Sequence, residues 1–253
     1  NIEAIIDNRE EIDSKLIKEA EKNNIKIYKG FTVVNTFGYK RINKISIMQL
    51  SKDGQKVVGS KISIACDCLG ISGGWTPAVH LFTQSGGKLK FRDEDQVFIP
   101  DIYPSDQISI GSCNGDFTLD EIISSVPNKL KEFLNVKKTD YENLEIYSAF
   151  NKSKRNIWLL PSDKVIGKTK SFVDYQNDAT AKDIKLALRE GFRSIEHVKR
   201  YTTTGMGTDQ GKLGNMHALG IISETAGTKM GEHGTTTFRP PYTPLTFGTI
   251  VGR

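Results

Sequence analysis

Hydrophobic and polar positions along this chain change period several times, and each change marks an element. Ile2, Ala4, Ile5 and Ile6 make a short apolar run that ends in Asp7. Ile12, Leu16, Ile17 and Ala20 then recur at helical spacing, and Ile25–Tyr28 returns as a strand, so the opening reads strand, helix, strand. From Thr32 to Leu69 apolar residues alternate with period two around a polar turn at Lys52–Gln55, which predicts a three-stranded antiparallel excursion. Gln107–Glu121 reads as strand, glycine turn and helix start. Between Pro127 and about residue 170 no period is sustained, and the stretch reads as a connector.

After the connector the period becomes helical. Thr180 can cap a helix whose first turn holds Asp183, a capping box with a shortened acid. Ala181, Ile184, Ala187 and Leu188 share its inner face, and Gly191 offers a left-handed stop. Ser194 caps a second helix with Ile195, Val198 and Tyr201 or Thr202 inward, ending at Gly205. The following loop, Thr203 to Lys212, packs three glycines into seven residues beside hydroxyls, an amide and a cation. Two readings stay open: a tight helix connection that needs positive φ, or a backbone free to approach a phosphate or ring edge.

Candidate chemistry at the front is nucleotide chemistry. A strand, helix, strand opening is the later half of a dinucleotide-binding unit, with Asp7 where an acid would meet an adenosine ribose. The glycine-rich phosphate loop would then precede residue 1, and a first residue of Asn is expected for a sequence cut inside such a domain. Gly111, Asn114 and Gly115 are candidates to face a pyrophosphate at a helix N-terminus, against the alternative of a plain turn. Cys66 and Cys68 fall on one face of the expected strand as small reduced hydrophobes, and Cys113 stands apart, so no metal site is expected. His80, His197, His217 and His233 show no metal-ligand grouping and read as surface or packing residues. Ser72 lacks the elbow of a serine hydrolase.

Charge and composition narrow the partners. The 253 residues are 37% hydrophobic and 26% charged, with a net charge of +5 spread along the chain, which argues against nucleic acid. No apolar run approaches the roughly 20 residues of a membrane span, and no signal peptide opens the chain, so a cytoplasmic protein is expected. The Lys-rich runs near Lys129–Lys138 and Lys152–Arg155 read as solvated faces.

Three motifs carry a family resemblance: Ser72-Gly-Gly-Trp-Thr-Pro-Ala-Val-His-Leu81, Phe172 to Lys212, and Gly234-Thr-Thr-Thr-Phe-Arg-Pro-Pro-Tyr-Thr-Pro244. Together they resemble the α subunit of heterotetrameric sarcosine oxidase across nearly the whole chain. The resemblance implies an α/β region of the disulfide-reductase-like Rossmann type over residues 1–126 and a connector over 127–170. It then implies a small helical module like bacterioferritin-associated ferredoxin over 171–232, and a linker over 233–253 toward a folate-binding aminomethyltransferase-like domain. The positions of that module's cluster cysteines are Asp174, Gln176, Asp209 and Gly214, none a thiolate, so the fold is expected without its iron. The implied activity is oxidative demethylation of sarcosine with release of peroxide and transfer of the one-carbon unit to tetrahydrofolate. The implied cofactors are NAD in this chain, FMN where it meets the β subunit, and FAD on the β subunit; the implied partners are β, γ and δ subunits. Toward FMN, Lys199, Arg200, Thr202, Thr203 and Lys212 would meet the phosphate, while Gly205, Gly207, Gln210 and Gly211 let the backbone approach the ring. The alternatives are a non-catalytic assembly subunit with a vestigial nucleotide site, or a subunit of a related amine, opine or proline dehydrogenase.

Overall fold

The computed structural model describes residues 1–12, 14–104, 106–135, 156–164, 168, 170–236, 238–240, 243 and 245–251. Most of the expected connector, with its Lys152–Arg155 run, lies outside these, as do Thr237, Pro241, Tyr242 and Pro244 of the third motif. The chain divides into two compact units, Asn1–Gly74 with Asn151–Thr169, and Trp75–Phe150 with Lys170–Arg253. The first break between the units falls after Gly74, inside the first motif.

In unit 1 the opening pattern folds as expected. β1 (Ala4–Asp7) and β2 (Lys26–Lys29) pair in parallel, joined by α1 (Lys15–Lys22), whose first turn is capped by the Ser14 hydroxyl. Gly30, at φ +72, turns the chain directly into β3 (Phe31–Gly38). β3, β4 (Ile42–Leu50) and β5 (Val57–Ala65) then form an antiparallel sheet in sequence order, with Ile45, Ile47, Met48 and Leu50 of the central strand buried. Burial of such a run, worth roughly 1.5–3 kcal/mol per large side chain, is what fixes the sheet's register. The strand stops one residue short of the cysteines: β5 ends at Ala65, so Cys66 and Cys68 sit beyond the ladder and not on its face.

In unit 2, α2 (His80–Gln84) precedes a hairpin of β6 (Lys88–Arg92) and β7 (Val97–Ile102). This sheet has two strands, and Gln107–Ile110 does not add a third. The expected strand is instead an extended lead into a single helical turn, Gly111–Asn114, closed by Gly115 at φ +85. Thr118 then caps α3 (Leu119–Leu134) with a complete capping box, and the helix continues through Pro127 into what the sequence offers as connector. The start of α3 is well marked, by an N-terminal box worth about 1 kcal/mol and by two acids, Asp120 and Glu121, on the positive end of the dipole.

The helical module follows its pattern closely. β8 (Phe172–Asp174) and β9 (Ala179–Thr180) make a small hairpin, and the Thr180–Asp183 box opens α4 (Ala181–Arg189). α5 (Ile195–Thr202) ends with Thr203 in the left-handed region. α6 (Asn215–Ala226) is buried from Ala218 through Ser223 on all sides, as expected of a helix at the centre of a core. α7 (Met230–His233) leads into the third motif.

Candidate functional site

Three segments far apart in sequence converge in unit 2 on one pocket. Thr76, Pro77 and His80 come from the first motif, Gly211, Lys212 and Asn215 from the glycine-rich loop and the start of α6, and Gly234, Thr235, Thr236 and Phe238 from the third motif. Val79, Phe98, Ile195 and Leu219 supply the apolar floor. The cavity measures about 40 Å³, small beside the roughly 300–1,000 Å³ that enclose a whole ligand. It is a recess for a ring edge or a small group.

The polar groups around the recess are held in place. Asn215 donates its amide to the buried Thr236 hydroxyl at 2.7 Å and to Gln210 O at 3.3 Å, tying α6 to the third motif. Gln210 returns the contact by accepting from the Arg239 backbone at 3.1 Å. The His80 ring lies against Phe238, centroids 4.0 Å apart. Burial and the nearby Lys212 charge push His80 down to about 4, so its imidazole is neutral at physiological pH. His80 is 8% exposed, so of the two roles residue type suggested, surface or packing, it has the packing one, and it lines the recess. Its signal was the density of Trp, Thr, Pro and His around it, not a ligand spacing.

Of the loop residues expected at a flavin, the recess takes Gly211 and Lys212. The others are engaged elsewhere within the described residues. Arg200 pairs with Glu196 one turn back at 3.3 Å, Thr202 donates to Val198 O and bonds Thr204, and Thr203 donates to Thr202 O. Lys199 stands in the last turn of α5, where a cation also complements the helix dipole. Within the chain itself, the hydroxyls and the arginine at this helix end are thus engaged by the helix.

The loop backbone is likewise used internally. Gly205 N–H donates to Asp174 at 2.7 Å, and Thr208 and the Asp209 amide donate to Gln176 at 3.1 and 3.4 Å. A Cβ on Gly207 would lie 2.1 Å from the Gln176 amide oxygen, and one on Gly214 2.4 Å from Val173 O. The four positions compared with cluster cysteines thus meet around a hydrogen-bonded polar knot between the β8 hairpin and the loop. Asp174 is 6% exposed; burial raises its pKa, but N–H donors from Asn177, Gly205 and Gln176 outweigh this and hold it below the ordinary range.

The nucleotide candidates fit a dinucleotide poorly. Asp7 accepts the Arg9 backbone N–H at 2.9 Å and its guanidinium at 3.0 and 2.7 Å. Three of about four acceptor positions on the carboxylate are taken, and a ribose diol asks for two. At α3 the amides of Phe117 and Thr118 donate to the Glu121 carboxylate, both at 3.2 Å, as part of the helix's own capping box. Gly115 O accepts from Arg92 at 2.8 Å, and a Cβ there would lie 2.7 Å from that guanidinium, so the glycine serves packing against the hairpin. Asn114 bonds Tyr103 at 3.2 Å, and Gly111 faces Ile122.

Comparison with known proteins gives this arrangement its context. Residues 168–253 match the family described as Sarcosine oxidase A3 domain. The α subunit of sarcosine oxidase from Rhizobium meliloti (strain 1021) is 36% identical over 77% of this chain and 20% of its own length. That of Corynebacterium sp. (strain U-96) is 31% identical over 99% of this chain and 26% of its own length. An opine oxidase subunit from Rhizobium meliloti (strain 1021) is 33% identical over 29% of this chain and 16% of its own length. The fold is shared with L-proline dehydrogenase from P. horikoshii at a TM-score of 0.60 and 18% identity, over 94% of this chain and 48% of that one. Among the described residues no helix is long and apolar enough to cross a membrane. The chain belongs to the family of sarcosine oxidase α subunits, and it spans a fifth to a quarter of the length of the curated relatives it matches.

Proposed function

We propose that this chain is part of an oxidoreductase that demethylates sarcosine, and that the recess between its three motifs is one wall of a flavin site completed by a partner subunit. The observation that carries this is the convergence of the motifs on one recess with aromatic walls and one lysine. The residues present suit the edge of an isoalloxazine ring: apolar surface, a neutral imidazole lying tilted against Phe238, the hydroxyls of Thr235 and Thr236, and the Lys212 cation. They do not suit a phosphate at the end of α5. When bound, FMN would supply the capacity to accept electrons originating in substrate oxidation. The chain's contribution is to exclude water from the ring edge, to orient it through the Asn215–Thr236 pair, and to hold positive charge beside it.

In this reading the substrate-oxidising FAD belongs to the β subunit, with tetrahydrofolate as acceptor of the one-carbon unit elsewhere in the α polypeptide and γ and δ completing the assembly. Residues 171–232 are read as a module like bacterioferritin-associated ferredoxin in which the polar knot at Asp174 and Gln176 takes the place of a cluster. NAD finds no support in the residues themselves, so no step is assigned to it.

The test uses the enzyme assembled from the full-length α polypeptide and its flavin-bearing partner. Sarcosine should bleach the flavin without oxygen and release peroxide when oxygen is admitted. The Lys212→Gln variant should assemble normally yet retain FMN several-fold less tightly through gel filtration. Bleaching by another amine alone would discard the substrate, and unchanged FMN retention would remove Lys212 from the site.

A further inference from the structure

Away from the recess, unit 1 carries two nucleophilic side chains two residues apart, Cys66 and Cys68. β5 ends at Ala65, yet the Cys66 amide still donates to Asn43 O at 3.3 Å, which anchors the first cysteine to the sheet. The chain then bends at Asp67, whose carboxylate meets the Arg41 guanidinium at 3.3 Å across the β3–β4 turn. Cys66 is half-buried, Cys68 is exposed, and both are thiols. Alpha carbons two residues apart are separated by at most about 7 Å even in an extended chain. Such an i, i+2 separation overlaps the roughly 4.4–6.8 Å span of a disulfide, and the bend at Asp67 shortens it relative to an extended chain. No group of three or more His, Cys, Asp or Glu side chains able to hold a metal occurs among the described residues.

We propose that Cys66 and Cys68 form a peroxide-sensitive dithiol that closes into a disulfide across the Asp67 bend. The exposed Cys68 attacks the O–O bond of a hydroperoxide as its thiolate and takes one oxygen as a sulfenic acid, while water or an alcohol leaves. The Cys66 sulfur then attacks the sulfenic sulfur, and its proton departs with the hydroxyl as water. With hydrogen peroxide, two thiols and one peroxide become one disulfide and two waters. The ring so formed is small and exposed, and strained or exposed disulfides are the readily reduced ones, so the bond is a switch and not a staple. Its effect is local: it stiffens the chain between the end of β5 and Gly74, the last residue of unit 1 before its return.

The experiment treats the reduced chain with hydrogen peroxide, alkylates remaining thiols and follows the tryptic peptide of residues 62–88, which holds both cysteines and excludes Cys113. The expected result is a peptide that has lost two hydrogens, is not alkylated and regains both thiols with dithiothreitol. Cys66→Ser should leave a sulfenic acid on Cys68 that dimedone traps. Two alkylated thiols after peroxide, oxidation of each sulfur separately to a sulfinic acid, or disulfide-linked dimers in a Cys113→Ser background would each overturn the proposal.

Discussion

Acidification should weaken unit 2 through His80 before any carboxylate contributes. The unfolded imidazole binds a proton near its ordinary 6.5, whereas the buried ring against Phe238, beside Lys212, does so only at about 4. Between those values the unfolded state holds more protons, so stability is complete above the higher pH and is lost progressively toward the lower. At about 1.4 kcal/mol per pKa unit, the loss is roughly 2 kcal/mol at pH 5 relative to pH 8, and about 3 kcal/mol once the window is crossed. Asp7 and Asp174 are depressed from 3.8 and lose their contributions below it, outside this window. Urea unfolding followed by far-ultraviolet circular dichroism measures the effect, because most helices belong to unit 2. His80→Phe keeps a ring against Phe238 and removes the titration, so its stability should change about 2 kcal/mol less between the two pH values than that of the unchanged chain. Lys212→Met should shrink the loss in the parent by letting His80 protonate at higher pH. Equal pH dependence in the parent and His80→Phe would refute the reasoning, since it would mean that the buried ring does not resist its proton.

Two other substitutions probe how the loop is held. Asp174→Asn keeps the shape but leaves only one acceptor oxygen for donors that now approach both, from Gln176, Asn177 and Gly205 at 2.8, 2.9 and 2.7 Å. Losing one charged, buried hydrogen bond should cost about 2–3 kcal/mol, read by urea unfolding, with faster hydrogen exchange at the Gly205 amide as the local sign. Gly211→Ala adds a Cβ at φ +74 and 2.0 Å from the Asn215 amide oxygen, which the Thr236 contact keeps from moving freely. About 2 kcal/mol of destabilisation is expected from the left-handed backbone and the displaced amide, and an unchanged melting temperature would mean Asn215 is not fixed.

The sequence revealed elements whose causes are local and concealed those whose causes are not. The Thr180–Asp183 box, the Gly191 stop and the alternation through β3–β5 each depend on neighbours within a few residues or on burial of one face, and each is found in the structure. The apparent strand at Gln107–Ile110 had suitable side chains, but a strand needs a partner ladder, and no strand among the described residues pairs with it. α3 runs through Pro127 although proline costs about 3 kcal/mol in a helix interior; the capping box marks where the helix begins, but no local signal announces that it continues past the proline. The recess was visible as three unusual motifs, yet nothing in their spacing could show that His80, Lys212 and Thr236 meet.

The glycine-rich loop illustrates why composition misleads about ligands. Glycines clustered with hydroxyls invite a reading in which backbone amides await a phosphate, and the same composition arises when a chain must approach itself closely. At Gly207 and Gly214 the nearest obstacles to a Cβ are Gln176 and Val173 O; at Gly205 and Gly211 they are the Asn215 side chain. Several loop amides are satisfied by Asp174, Gln176 and Asp209. The loop's conformation therefore belongs to the fold, and its use to a partner reduces to what it presents outward at its end, the Lys212 charge beside a neutral His80. A partner ring would be recognised there by shape and by one cation rather than by a nest of amides. Substitutions at the glycines should accordingly act through stability, and substitution of Lys212 through binding.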